Sequence, residues 1–197
     1  MKIKNEAVTV TSTAGEVKVE GLKSWVCSGH FDDAMLQGFM TFYEGLLKDG
    51  AHEAIIYIDS PGGLGHTLDA ILSIMESSPI TWYTVALGEA SSAALILLAS
   101  GTKRYAGSRA RMMYHSLAFG TTGKVDAVQE ATDDAKQWNK KVMLDFAKKT
   151  KMPAAWWVAQ TRTKESRDFT FDSDAAMKYG VVDKIGVPQL RVTREVA

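Results

Sequence analysis

Short apolar runs alternate along the chain with segments whose apolar residues recur every three or four positions, a pattern that predicts strands alternating with helices. Residues 25–29 read as a first core strand. Asp32 and Asp33 then open a helix with Met35, Leu36, Phe39, Tyr43, Leu46 and Leu47 on one side, and Gly50 stops it. Residues 54–58 are apolar without a break, as in a strand covered on both faces. Ser60-Pro61-Gly62-Gly63 leads from it into a helix carrying Leu68, Ile71, Leu72 and Met75. The β-branched and aromatic run 80–87 predicts another core strand. Residues 93–99 are apolar all round, so that helix must be enclosed by protein. Strands are expected at 103–106 and 110–114, the second ending at His115. Such alternation argues for a layered α/β domain with right-handed crossovers.

The ends of the chain are less regular. Residues 1–24 alternate apolar and polar around Thr13-Ala14-Gly15-Glu16, predicting a hairpin or an extended arm. Residues 124–150 carry a stripe of Val125, Val128, Ala131, Ala135, Trp138, Val142 and Phe146, with charges elsewhere. A helix of that length reaches about 40 Å. It either protrudes onto a second subunit or lies along its own domain. Pro153 opens a short helix bearing Trp156 and Trp157. Asp172 is placed as the N-cap of another, which ends at Tyr179-Gly180 before a strand at 181–185. The expected organisation is one domain over 25–190, an arm at 1–24 and a tail at 191–197.

Composition narrows the function by exclusion. Lys+Arg and Asp+Glu both number 23, so no global field favours nucleic acid or an anionic membrane. The single cysteine, Cys27, excludes an internal disulfide framework and a multi-cysteine metal site. The longest apolar run, 93–99, is too short to span a bilayer, and no signal-type stretch follows Met1. A cytoplasmic protein is the expectation. His-Glu-x-x-His, P-loop and dinucleotide motifs are absent, and so is the Gly-x-Ser-x-Gly elbow, so no cofactor or metal is predicted.

What remains is the junction Gly88-Glu89-Ala90-Ser91-Ser92-Ala93-Ala94, between a strand and a buried helix. A serine there caps the helix, or acts as a nucleophile beside free N–H groups and the positive end of the helix dipole. Ser91 and Ser92 both qualify. A nucleophilic serine needs a base, and that base needs a group to orient it. Of His30, His52, His66 and His115, the last suits the role best because it ends a core strand; His66 is weaker. The glycine pair 62–63 lets a substrate backbone approach closely. An N–H from this turn, with one from the residue after the serine, would form a two-donor oxyanion hole.

Several separated motifs together resemble one family. Tyr57-Ile58-Asp59-Ser60-Pro61-Gly62-Gly63, Gly88-Glu89-Ala90-Ser91-Ser92, Arg111-Met112-Met113-Tyr114-His115, Arg167-Asp168 and the stretch from Tyr179 to Ile185 are similar, in order and spacing over about 25–186, to the Clp protease proteolytic subunit (ClpP) family. The resemblance implies a crotonase/ClpP-like spiral of βαβ units with a protruding handle helix at 124–150. It implies Ser92 as nucleophile, His115 as base and Asp168 as the acid that orients it; Asp172 competes for the acid role, but its position before Ala175-Ala176-Met177 makes it a better cap. The backbone N–H groups of Gly63 and Ala93 become the oxyanion hole. It also implies polypeptide substrates, heptameric rings stacked in pairs, and an AAA+ unfoldase as partner.

The sequence departs from the family at Ala93-Ala94, where Met-Gly is usual, at Ser116-Leu117, where Gln-Pro is usual, and at Asp59, where Asn is usual. The N-terminal segment is also short. These departures mark a divergent branch, of a kind encoded by phages or prophages. Rival expectations are a capsid-maturation peptidase of the same fold, a crotonase-type acyl-CoA enzyme, and a catalytically silent ring subunit.

Overall fold

A sheet of seven strands organises the chain, in a computed structural model that describes residues 7–12, 15–20, 22–161 and 168–193. With strands numbered from the N-terminus, its parallel path is β3 (Lys23–Phe31), β4 (Glu53–Gly63), β5 (Thr81–Ser91), β6 (Lys103–Ala106) and β9 (Lys184–Ile185). Helices α1 (Asp33–Lys48), α2 (Gly65–Ser77) and α3 (Ala93–Ala99) follow β3, β4 and β5 in turn, as the alternating pattern predicts. Ile55, Ile56 and Ile58 on β4 are fully buried, which is why that strand reads as unbroken apolar sequence. Asp32 caps α1 by accepting from the Met35 N–H at 2.9 Å.

Two strands run further than their apolar stretches. β4 continues through Ser60-Pro61-Gly62-Gly63 because β3 keeps pairing with it after a bulge, His30 opposite Gly62 and Phe31 opposite Gly63. The expected tight turn is therefore an extended ribbon. β5 likewise continues through Ser91, alongside β7 (Arg111–Tyr114). The strand expected at 181–185 is shorter, because α6 (Ser173–Tyr179) ends on Gly180 at φ +76° and the N–H of Val181 turns back to the Ala176 carbonyl at 2.9 Å.

The N-terminal hairpin is β1 (Ala7–Ser12) paired antiparallel with β2 (Gly15–Glu20); its turn residues Thr13 and Ala14 lie outside the described residues. β10 (Gln189–Thr193) pairs with the other side of β1, so residues 191–193 belong to a strand where a tail was expected.

α4 (Val125–Lys148) has 24 residues and a length of about 36 Å. Its two ends behave differently. Towards the C-terminus Phe146 is fully buried against Tyr114 and the Trp157 ring of α5 (Ala154–Thr161), with ring centroids 5.4 and 4.8 Å away. At the other end Val125 is 83% exposed. Of the predicted apolar stripe, Val125 is exposed, Val128, Ala131, Ala135, Trp138 and Val142 are half-buried, and Phe146 is fully buried. Among the described residues no helix is long and apolar enough to cross a membrane.

Candidate active site

Three strands bring the chemistry together. β7 pairs parallel to the end of β5, with Ala90 opposite Met112 and Ser91 opposite Met113, and the Ser92 N–H donates to the Met113 carbonyl at 2.8 Å. His115 follows two residues later, so the ladder delivers the imidazole beside the serine. On the other side of β7 lies antiparallel β8 (Phe169–Asp172), its last pair Tyr114 with Phe169. The pairing ends there, with His115 the next residue after β7 and Asp168 the residue just before β8.

Ser92 stands at the N-cap of α3 with φ 57° and ψ −121°, and it is the one non-glycine residue at positive φ among the described residues. A serine held there costs about 1–3 kcal/mol. It makes no capping hydrogen bond. Its Oγ is instead 2.6 Å from His115 Nε2. With the imidazole proton on Nδ1, the hydroxyl donates to Nε2, the arrangement a base-activated alcohol requires. Ser91 is differently employed: it is buried, and its hydroxyl donates to Glu89 Oε1 at 2.7 Å. Of the two serines, only Ser92 has its hydroxyl on a histidine among the described residues.

Ala93 opens α3, so no residue of that helix accepts its N–H. Gly63 lines the same cleft as Ser92, Ala93 and His115. Gly63 has φ +152°, and a Cβ there would come within 2.6 Å of the Phe31 nitrogen and oxygen, so only glycine lets β4 pass so close to β3. The hydroxyl of Ser60, fully buried, steadies the same ribbon by accepting from the Gly62 N–H at 3.0 Å and donating to the Gly29 carbonyl at 2.5 Å.

Not every expected contact is made. Asp168 is exposed, and among the described residues its carboxylate makes no hydrogen bond to His115. Arg167, its neighbour in the sequence motif, lies outside the described residues. Asp172 caps α6 by accepting from the Ala175 N–H at 2.9 Å, the role the sequence gives it. His66 stands 3.9 Å from Asp33 with most of its surface in solvent, and His30 and His52 are exposed; none of them contacts Ser92.

The cleft beside Ser92 has a volume of about 120 Å³, and apolar side chains from α2, α3 and α4 surround it. Two of its residues, Trp138 and Asn139, were not singled out as functional from sequence. Trp138 is visible there only as part of the α4 stripe, and Asn139 carries no sequence signal at all. Asn139 Oδ1 accepts the Leu117 N–H at 3.0 Å, tying the segment just after His115 to α4. That bond uses a donor which the proline usual at this position would lack. Asp59 is tied in as well, its Oδ1 accepting the Glu89 N–H at 2.9 Å, which an asparagine oxygen would do equally.

Fold and site together define a parallel-sheet α/β domain with a serine–histidine pair at the tip of a buried helix. Comparison with known proteins gives this class its family: the Clp protease family profile matches residues 29–189. The chain is 34% identical over 160 residues to ATP-dependent Clp protease proteolytic subunit 2 of Corynebacterium jeikeium, covering 78% of this chain and 74% of that protein. It is 30% identical over 161 residues to proteolytic subunit 1 of Tropheryma whipplei, covering 78% and 72%. Proteolytic subunit 3 of Rhodococcus jostii is 30% identical over 161 residues, covering 80% and 78%. The chain belongs to the Clp protease family, as a divergent member with the ClpP-like α/β fold.

Proposed function

We propose that the chain is a serine endopeptidase that cleaves polypeptides through an acyl-enzyme. The observation that carries this reading is the 2.6 Å approach of Ser92 Oγ to His115 Nε2 at a backbone position strained for a serine. His115 removes the hydroxyl proton as Ser92 attacks the peptide carbonyl. The N–H groups of Gly63 and Ala93 hold the oxyanion, and loss of one such donor costs roughly 10²–10³ in turnover. His115 then protonates the departing amine, and water, deprotonated by the same imidazole, releases the acyl group from Ser92. Asp168 orients the ring by accepting from Nδ1. The reading is supported by chain position, since His115 directly follows β7 and Asp168 directly precedes β8, which pairs with it, and catalytic hydrogen bonds often tighten only with substrate in place.

The family supports a homo-oligomer of stacked, heptameric rings, with the N-terminal end of α4, where Val125 is exposed, as part of the surface that meets another copy. It equally supports an AAA+ unfoldase as the partner that feeds substrate. The test is hydrolysis of a short fluorogenic peptide by the purified oligomer, with Ser92→Ala and His115→Ala alongside. Turnover in the wild type and its loss in both variants is the expected result. Turnover that survives Ser92→Ala overturns the proposal.

A further inference from the structure

Trp138 stands between two cavities. One is the cleft of about 120 Å³ that contains Ser92 and His115. The other, of about 220 Å³, runs between α2 and α4 and holds the charged side chains Asp69, Glu76, Lys141, Asp145 and Lys149. Both are lined by Leu68, Ile96, Trp138, Val142 and Phe146, and neither Ser92 nor His115 reaches the second. The shared residues form a wall, and the indole is its largest member.

The indole is fixed at both ends. Its Nε1 donates to Asp69 Oδ2 at 2.9 Å, and its six-membered ring lies so close to Gly65 that a Cβ there would overlap it. Gly65 and Asp69 are one helical turn apart on α2, so a hydrogen bond and a glycine contact on one face of α2 set the side-chain rotamer of a residue on α4. A side chain held in this way excludes volume rigidly.

We propose that Trp138 is the specificity-determining residue of the cleft, limiting the substrate side chain next to the cleaved bond to branched or linear aliphatic groups. This rests on the peptidase reading. A closed apolar cavity of roughly 150 Å³ accepts benzene, and the smaller cleft beside Ser92 suits leucine or methionine better than phenylalanine or tryptophan. Removing the indole joins the cleft to the groove behind it. A ring that the wall stops then finds room.

The experiment measures kcat/KM of the purified oligomer on peptides identical except for leucine, methionine, phenylalanine or tryptophan before the scissile bond, for wild type, Trp138→Ala and Trp138→Phe. Wild type should favour leucine and methionine. Trp138→Ala should raise the phenylalanine-to-leucine and tryptophan-to-leucine ratios by about 10-fold or more, since one methylene in an apolar pocket already discriminates by 10–200-fold. Trp138→Phe keeps a ring against Gly65 and should fall between. Ratios within one preparation are independent of the fraction of active enzyme. Hydrolysis with ratios unchanged in both variants, or rates lowered equally for every peptide, overturns the assignment of Trp138 and leaves the peptidase standing. A wild type that hydrolyses none of the peptides overturns both.

Discussion

A methyl group on Gly62 would stand 2.8 Å from the Ser92 Cβ and 2.9 Å from the Ala93 nitrogen, so the end of β4 is packed directly against the turn that holds the serine. Gly62 also has φ +91°, where an L side chain is strained by about 1–2 kcal/mol. Gly62→Ala should therefore lower kcat/KM by roughly 100-fold, the penalty for displacing reacting groups by about 1 Å. Gly29 provides the control: its φ is +81° and a methyl group placed on it would have nothing within 4 Å. Gly29→Ala should lower the urea midpoint and leave turnover near the wild-type value. Equal turnover in the two variants would contradict the interlock of the two loops.

The two adjacent serines should separate cleanly. Ser91→Ala removes only the bond to Glu89, at a cost of about 1 kcal/mol in stability. It should leave peptide hydrolysis within a few-fold of wild type. Steady-state kinetics with thermal melts would show this, and loss of turnover in Ser91→Ala would mean that the Glu89–Ser91 pair takes part in the reaction.

The aspartate just before β8 and the one that ends it should behave in opposite ways. Asp168→Asn should leave the melting temperature in place and lower kcat by roughly 10³–10⁴, as expected when a catalytic histidine loses the acceptor that fixes its tautomer. Asp172→Ala should lower stability by about 1 kcal/mol through loss of the α6 cap, with turnover kept. The reverse pattern would remove Asp168 from the proposed mechanism.

Much of this arrangement is legible in the sequence, for physical reasons. Ile55-Ile56 and the run 93–99 are buried on nearly all sides, and burial writes itself as unbroken apolar sequence. Asp32 and Asp172 are caps whose position follows from the helices they start. The choice between Ser91 and Ser92 is not legible from propensity, because it depends on a single residue at φ 57° and on a ladder to β7. The resemblance to ClpP supplied Ser92. The continuation of β4 through Gly63 was hidden because prolines and glycines ordinarily signal a turn, and here pairing with β3 overrides them. The α4 stripe reads as uniform in sequence, yet of its residues only Trp138, Val142 and Phe146 become part of the wall of the cleft.

Cys27 gives a prediction in pH. The thiol is fully buried, and burial pushes its pKa from 9.0 up to about 12. Between those values the unfolded chain has released the proton that the folded chain keeps, so the unfolded state binds fewer protons and stability falls as pH rises. The slope from this group is about 1.4 kcal/mol per pH unit. Urea midpoints from pH 8 to 11 should decline less steeply in Cys27→Ala than in wild type. In the native protein at pH 8 a thiol reagent should react only as fast as the chain opens; immediate stoichiometric reaction would contradict the burial.

The most direct test of the central claim is the intact mass of the protein after treatment with a fluorophosphonate, followed by peptide mapping. Wild type should gain one phosphonyl group per chain, located on Ser92. Ser91→Ala should gain it as well, and Ser92→Ala should gain none. An adduct retained in Ser92→Ala, or a wild type that remains unmodified, would contradict a nucleophile formed by Ser92 and His115.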